Sequence, residues 1–245
     1  MPRDIIHHIA GVYGAFPGTN LEWTGDAISG MPMQGRFTLA TISAELSADF
    51  SLFLCDEITE AYLEGRAQFP YEPVASDPDA RYHAVYEIDV SRLEPLVVLP
   101  HKVARNVKPV RDLAGTKIDQ AFVGSCANGR LEDFAVVAEI VKGRQVAPTV
   151  RFIVTPGSQG ALREAMRAGY VETLMDAGAV VTSSTCGACY GGHMGVLGDG
   201  EVCITASTRN FQGRMGSPNA RIYMASPATV AASAIRGTIT DPRNL

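Results

Sequence analysis

Ile118-Asp119-Gln120-Ala121-Phe122-Val123-Gly124-Ser125-Cys126-Ala127-Asn128-Gly129-Arg130 sets the frame for the chain. Ile118–Val123 predicts a short apolar strand. Leu131, Phe134, Val137 and Val141 then recur at three- and four-residue steps, a helical face that Gly143 closes. A cysteine therefore sits in a glycine-rich turn between strand and helix. Outward from this unit the alternation continues. Val150–Thr155 predicts a strand, and Ser158 can cap a helix running to Gly169. A short helix around Val171–Met175 leads to the strand Ala179–Thr182. Val202–Ala206 and Ile222–Ala225 predict two more strands. Ser226 suits an N-cap, Pro227 the first helical position, and Gly237 the site just past the end. Strands alternating with helices predict a largely parallel sheet covered on both faces.

The first half is less regular. Ile5, Ile6, Ile9 and Tyr13 give a helical face. A helix around Leu39–Ala48 precedes the strand Ser51–Cys55, and Asp56 caps a helix toward Gly65. Asn20–Trp23 and Val85–Val90 are further strand candidates. Residues 66–82 and 94–116 carry prolines among charged residues and predict extended connections. A boundary near residue 112 divides the chain into a smaller α/β domain, 1–112, and a second domain, 113–245. The fold class expected is α/β: two three-layer α/β/α units with mainly parallel sheets.

Over 245 residues, 21 Lys+Arg against 26 Asp+Glu leave a formal charge of −5, which argues against a general nucleic-acid binder. A 46% hydrophobic and 19% charged composition excludes disorder. No apolar run of about 18 residues exists, so no membrane span is expected. The charged start Met1-Pro2-Arg3-Asp4 is unlike a secretory signal, and a cytoplasmic chain is the default.

Five cysteines, Cys55, Cys126, Cys186, Cys189 and Cys203, are too few and of the wrong parity for a disulfide framework. Cys126, Cys186 and Cys189 follow predicted strands of one sheet, at the edge where open α/β sheets place ligands. Cys55 and Cys203 lie in apolar strands and read as inert. For the other three, inert packing fits poorly among glycines. A zinc site with His193, a thioredoxin-like pair and a three-thiolate iron–sulfur cluster with one open iron all compete. Spacing alone ranks zinc and iron–sulfur equal.

Gly124-Ser125-Cys126-Ala127-Asn128-Gly129-Arg130 resembles the first cysteine motif of the aconitase superfamily. Cys186-Gly187-Ala188-Cys189 with Gly191-Gly192-His193-Met194-Gly195 resembles the second. Arg209-Asn210-Phe211-Gln212-Gly213-Arg214, Ala225-Ser226-Pro227 and Gly237-Thr238-Ile239-Thr240-Asp241-Pro242 match later family motifs. Gly129-Arg130 and the Gly-Gly-His-Met-Gly run point toward large subunits of the 3-isopropylmalate dehydratase and homoaconitase type. The resemblance implies a hydro-lyase acting on a hydroxy di- or tricarboxylic acid such as 3-isopropylmalate or homocitrate. It implies a [4Fe–4S] cluster held by Cys126, Cys186 and Cys189, with one iron open to substrate oxygens. Arg209 and Arg214 match arginines at cluster and substrate, where a guanidinium fork suits a carboxylate. Glu45, within Gly35-Arg36-Phe37-Thr38-Leu39-Ala40-Thr41-Ile42-Ser43-Ala44-Glu45, matches a glutamate that hydrogen-bonds the water or hydroxyl at the open iron. His7, His8 and His101 read as ordinary helix and loop residues, and His193 as structural or supporting.

Three departures stand out. Thr41 and Thr208 occupy positions where the family has asparagine, each a shorter hydroxyl for an amide. The resemblance also places residue 1 at the start of the family's second domain. The first domain is then expected elsewhere, which implies a large subunit divided between genes, a truncated piece, or a decayed copy. The mobile last domain, with its serine base and substrate-reading arginines, belongs in such dehydratases to a small subunit. The expected partners are that small subunit, carrying the swivelling domain, and a separate first-domain polypeptide. Two functions follow as expectations. One is an enzyme subunit completed by other chains. The other is a non-catalytic cluster-binding or interaction protein derived from such an enzyme.

Overall fold

The computed structural model describes residues 1–245. In chain order its elements are α1 (Pro2–Val12), β1 (Asn20–Trp23), α2 (Asp26–Ser29), α3 (Met33–Ser43), β2 (Phe50–Phe53), α4 (Glu57–Leu63), β3 (Leu96–Val98) and β4 (Val107–Pro109). There follow β5 (Gln120–Gly124), α5 (Ser125–Asn128), α6 (Leu131–Val141), β6 (Arg151–Thr155), α7 (Gln159–Arg167), α8 (Tyr170–Asp176), β7 (Val180–Val181), β8 (Val202–Thr205), β9 (Arg221–Ala225) and α9 (Pro227–Arg236). Seven strands form one sheet in the order β4-β3-β9-β8-β5-β6-β7, and β1 and β2 form a separate parallel pair. From β9 to β7 every neighbouring pair is parallel, whereas β3 and β4 join antiparallel at one edge. This is the mainly parallel α/β architecture that the alternation of elements predicts.

The sheet's two faces follow from period-two alternation. Ala121 and Val123 of β5, Phe152 and Val154 of β6, and Val202 and Ile204 of β8 share one core with Phe134, Val137 and Val141 of α6 and Val230, Ala231 and Ala234 of α9. The intervening Phe122, Ile153, Cys203 and Ile222 face the other way, into a smaller core with Ala188, Cys189, Leu197 and Met215. Long loops after β7 and β8 cover that face. Beside them, Ile6 and Ile9 of α1 and Leu39 and Ile42 of α3 pack with Val98 and Met224. The first half of the chain thus sits on the same sheet face as the cysteine loops.

Three differences from the sequence reading have physical causes. β3 and β4 lie in the proline-bearing stretch read as an extended connection. Pro109 pairs opposite Leu96 on the sheet's edge strand, where a missing N–H is tolerated. The larger sheet therefore takes two strands from before residue 112. The helix placed at Leu39–Ala48 instead runs Met33–Ser43 and ends in a 3-10 turn, Ala44–Leu46. Gly35 weakens the helix signal, yet a Cβ there would meet Met31 and Pro2 side chains at 2.6 and 2.9 Å, so glycine is what lets α1 seat against α3. The strand expected at Val85–Val90 is absent. That segment finds no strand to pair with and lies as a strap, with Tyr86 4.5 Å from the Tyr13 ring and Ile88 packed on the α1 core. With Ile5, Ile9 and Trp23 the strap walls an apolar cavity of about 380 Å³. No helix is long and apolar enough to cross a membrane.

Candidate functional site

The carboxyl ends of β5, β7 and β8 converge on one edge of the larger sheet, and the candidate residues follow directly from those ends. Gly124 ends β5 with φ 141° and ψ −151°, and a Cβ at that position would lie 2.0 Å from the Thr155 carbonyl oxygen. Only glycine lets β5 and β6 run this close and then turn. Ser125 follows in the left-handed region, φ 59°, with its Oγ buried and unpartnered. Such a conformation costs a non-glycine residue about 1–2 kcal/mol. The strained pair turns the chain so that Cys126, on α5, is exposed at the sheet edge while Ala127 and Asn128 are buried.

Cys186 and Cys189 flank the 3-10 turn Gly187–Cys189 beyond β7. Cys186 is exposed and Cys189 buried. Arg214 holds the second loop: its Nε donates to the Cys189 carbonyl at 2.9 Å, and its Nη2 lies 3.8 Å from Cys189 Sγ. The Tyr190 and Phe211 rings flank the guanidinium, with centroids 5.9 and 5.3 Å from Cζ. Thr208 places its hydroxyl 4.0 Å from Cys189 Sγ, so the shorter side chain still approaches the sulfur. Thr41 does not behave alike. Its hydroxyl donates to the Phe37 carbonyl at 2.6 Å, one turn back on α3.

Glu45 comes from the other half of the chain. Its Oε1 accepts from Arg209 Nε at 2.5 Å across 164 residues of sequence. With Arg209 45% exposed, an ion pair of this kind adds under about 1 kcal/mol to stability. Its importance is positional: it brings Glu45 to the loop that also carries Thr208. Arg209 is engaged through Nε alone, so its terminal nitrogens remain open to a carboxylate. Glu45, Arg209, Arg214 and the cysteine loops thus gather at one edge. His193 is exposed and lies against the second cysteine loop, with Nδ1 3.5 Å from Oγ1 of Thr185, the neighbour of Cys186. Cys203 is buried in β8, its thiol pushed up to about 12 by desolvation, and half-buried Cys55 follows β2.

No three His, Cys, Asp or Glu side chains are drawn together closely enough to enclose a single metal ion. Three thiols on two loops can each bind a different iron of a multi-iron group. The donor set fits an iron–sulfur group.

Sequence reading missed the polar layer beneath these loops. Arg3 is 1% exposed and donates to Asn128 Oδ1 at 2.7 Å, to the Ala206 carbonyl at 2.5 Å and to the Ser207 carbonyl. Asn128 Nδ2 in turn donates to Asp133 Oδ1 at 2.9 Å, and Arg130 N to Asp133 Oδ2 at 3.0 Å. Burial lifts the Asp133 carboxyl to about 6. Burial also drives the His7 imidazole well below its ordinary value, with the Arg3 charge adding to the effect. Arg3, Ile6, His7 and Ala10 share helical spacing and are all buried, but an arginine and a histidine among apolar residues do not mark a buried face in the sequence.

Comparison with known proteins gives the family. The profile of the "Aconitase family (aconitate hydratase)" matches residues 1–109 and 102–237. The 3-isopropylmalate dehydratase large subunit of Mycolicibacterium smegmatis is 54% identical over 243 residues, 99% of this chain and 58% of that protein. The large subunit of the same name from Aquifex aeolicus is 45% identical, over 99% of this chain and 57% of its own length. The probable methanogen homoaconitase large subunit of Methanosarcina mazei is 46% identical over 245 residues, 99% of this chain and 62% of that protein. The chain thus spans about three fifths of the length of these relatives. Matched along nearly its whole length, the chain belongs to the aconitase family.

Proposed function

We propose that this chain is the cluster-bearing part of the large subunit of a heteromeric hydro-lyase. Its substrate would be a hydroxy di- or tricarboxylic acid of the 3-isopropylmalate or homocitrate type. The observation that carries this reading is the convergence of Glu45, Arg209, Arg214 and the cysteine loops on one sheet edge. Cys126, Cys186 and Cys189 would hold a [4Fe–4S] cluster. Three protein ligands leave one of its irons free to act as a Lewis acid toward a substrate hydroxyl and carboxylate. Arg209 offers its free terminal nitrogens to a second carboxylate. Glu45 accepts a hydrogen bond at the same point and offers a carboxylate oxygen there. Arg214 orients Cys189 through both its carbonyl and its sulfur.

Dehydration also needs a base at the carbon losing its proton, and no residue of this chain matches the family's serine base. The reading therefore requires a small subunit carrying the swivelling domain, and the part of the large subunit that lies outside these 245 residues. The test is hydration of an unsaturated dicarboxylic acid by the reconstituted chain, alone and with those partners. Activity is expected only in the complete mixture. Robust turnover by the chain alone, or silence of the complete mixture, overturns the proposal and leaves a non-catalytic cluster protein.

A further inference from the structure

Arg3 stands where a cation is costly three times over. It is fully buried, and removing a charge from water costs several kcal/mol unless an opposite charge receives it. It lies in the first turn of α1, next to Pro2 at the start, where the helix dipole disfavours positive charge. It makes no direct contact with a carboxylate: its partners are an amide oxygen and two carbonyl oxygens, and its Nε is buried without a partner. The two nearest carboxylates are turned elsewhere. Asp4 accepts from the Met1 amine and from Leu96 N, each at 3.0 Å. Asp133 reaches Arg3 only through Asn128, although its charge acts on Arg3 more than any other.

After these two carboxylates, the ionisable groups acting on Arg3 are the thiols of Cys189 and Cys126. Burial lowers the Arg3 guanidinium to about 10. The neighbouring Asp133, Asp4, Cys189 and Cys126 act against this, in that order. Its three acceptors belong to the same loops, because Asn128 closes α5 two residues after Cys126, and Ala206 and Ser207 lead into Thr208 and Arg209. We propose that Arg3 is a positioning residue and the built-in counter-charge for an anionic iron–sulfur group held by Cys126, Cys186 and Cys189. The proposal rests on the cluster reading above. It adds that the first helix of the chain, distant in sequence from every cysteine, sets the charge balance and loop spacing of the site.

The account predicts that Arg3 matters more with the group bound than without it. Wild type, Arg3→Gln and Arg3→Lys are compared empty and after anaerobic reconstitution, by thermal melting and by the reduction potential of the bound cluster. Loading should raise the melting temperature of wild type, and Arg3→Gln should lose at least half of that rise. Its potential should fall, since removing a nearby positive charge disfavours the more negative, reduced cluster. Arg3→Lys keeps the charge and should keep the wild-type potential while losing loop rigidity. Equal destabilisation of empty and loaded forms by Arg3→Gln with an unmoved potential would reduce Arg3 to a structural clamp and overturn the proposal. Should Arg3→Gln fail to fold, Arg3→Met, which also removes the charge but keeps an unbranched side chain, decides: a lowered potential supports the proposal, and an unmoved one overturns it. Failure of wild type to take up iron and sulfide is a different result, which rejects the cluster reading itself.

Discussion

Cys126 and Cys203 carry the same thiol into opposite chemistry. Cys126 is exposed after a strained glycine turn, whereas Cys203 is buried in β8 with its thiol pushed up to about 12, so it has almost no thiolate at neutral pH. Cys126→Ser should abolish iron and sulfide uptake, while Cys203→Ser and Cys55→Ser should leave it intact, as read by visible absorption after reconstitution. Asp133 supplies a pH signature of its own. Its folded-state value of about 6 lies above the ordinary 3.8, so the folded chain binds the extra proton between those values. Stability must then fall as pH rises through that window, by roughly 3 kcal/mol at most. Asp133→Asn should flatten this part of a stability–pH curve measured by denaturant. A wild-type curve without a slope between about pH 4 and 6 would contradict the assignment.

At the scale of elements, the turn from β5 into α5 and the joint between α3 and α4 set the site. Gly124→Ala would force a Cβ to within 2.0 Å of the Thr155 carbonyl oxygen, separating β5 from β6. It should cost roughly 3 kcal/mol and release iron even with all three cysteines present, measured by melting and metal content. Asp56 caps α4 by accepting from Thr59 N at 3.1 Å, and it also accepts both terminal nitrogens of buried Arg36 from α3. The Arg36 guanidinium holds the Asp56 carboxyl well below its usual range, so this stabilisation is present above about pH 4 and lost as pH falls below it. With Asp56 a third exposed, Asp56→Ala should cost about 2 kcal/mol. The parallel strands and their helices were legible because their periods, caps and glycines agree. β3 and β4 were not, because three residues beside prolines carry no period. The Val85–Val90 alternation misled because a strap packing on α1 hides alternate side chains much as a strand would. Among site residues, the cysteines and both arginines were legible from local motifs. Arg3 was not, since its partners lie more than 100 residues away.

The whole molecule leaves apolar surface uncovered on the two-stranded sheet. Phe50 and Leu52 of β2, with Leu54 just after it, are 66, 49 and 43% exposed, on a sheet of only two strands. Two strands with a bare face are marginal alone and invite a partner. The isolated chain should self-associate in sedimentation at micromolar concentration, and Leu52→Lys should shift it toward monomer without lowering its melting temperature. A wild-type monomer at that concentration would contradict this. The central claim, that the sheet edge at Cys126, Cys186 and Cys189 holds an iron–sulfur cluster, is tested most directly by counting. Iron, acid-labile sulfide and zinc are quantified per chain in protein purified and reconstituted without oxygen. The account predicts roughly four irons and four sulfides per chain. Stoichiometric zinc with no sulfide would contradict it.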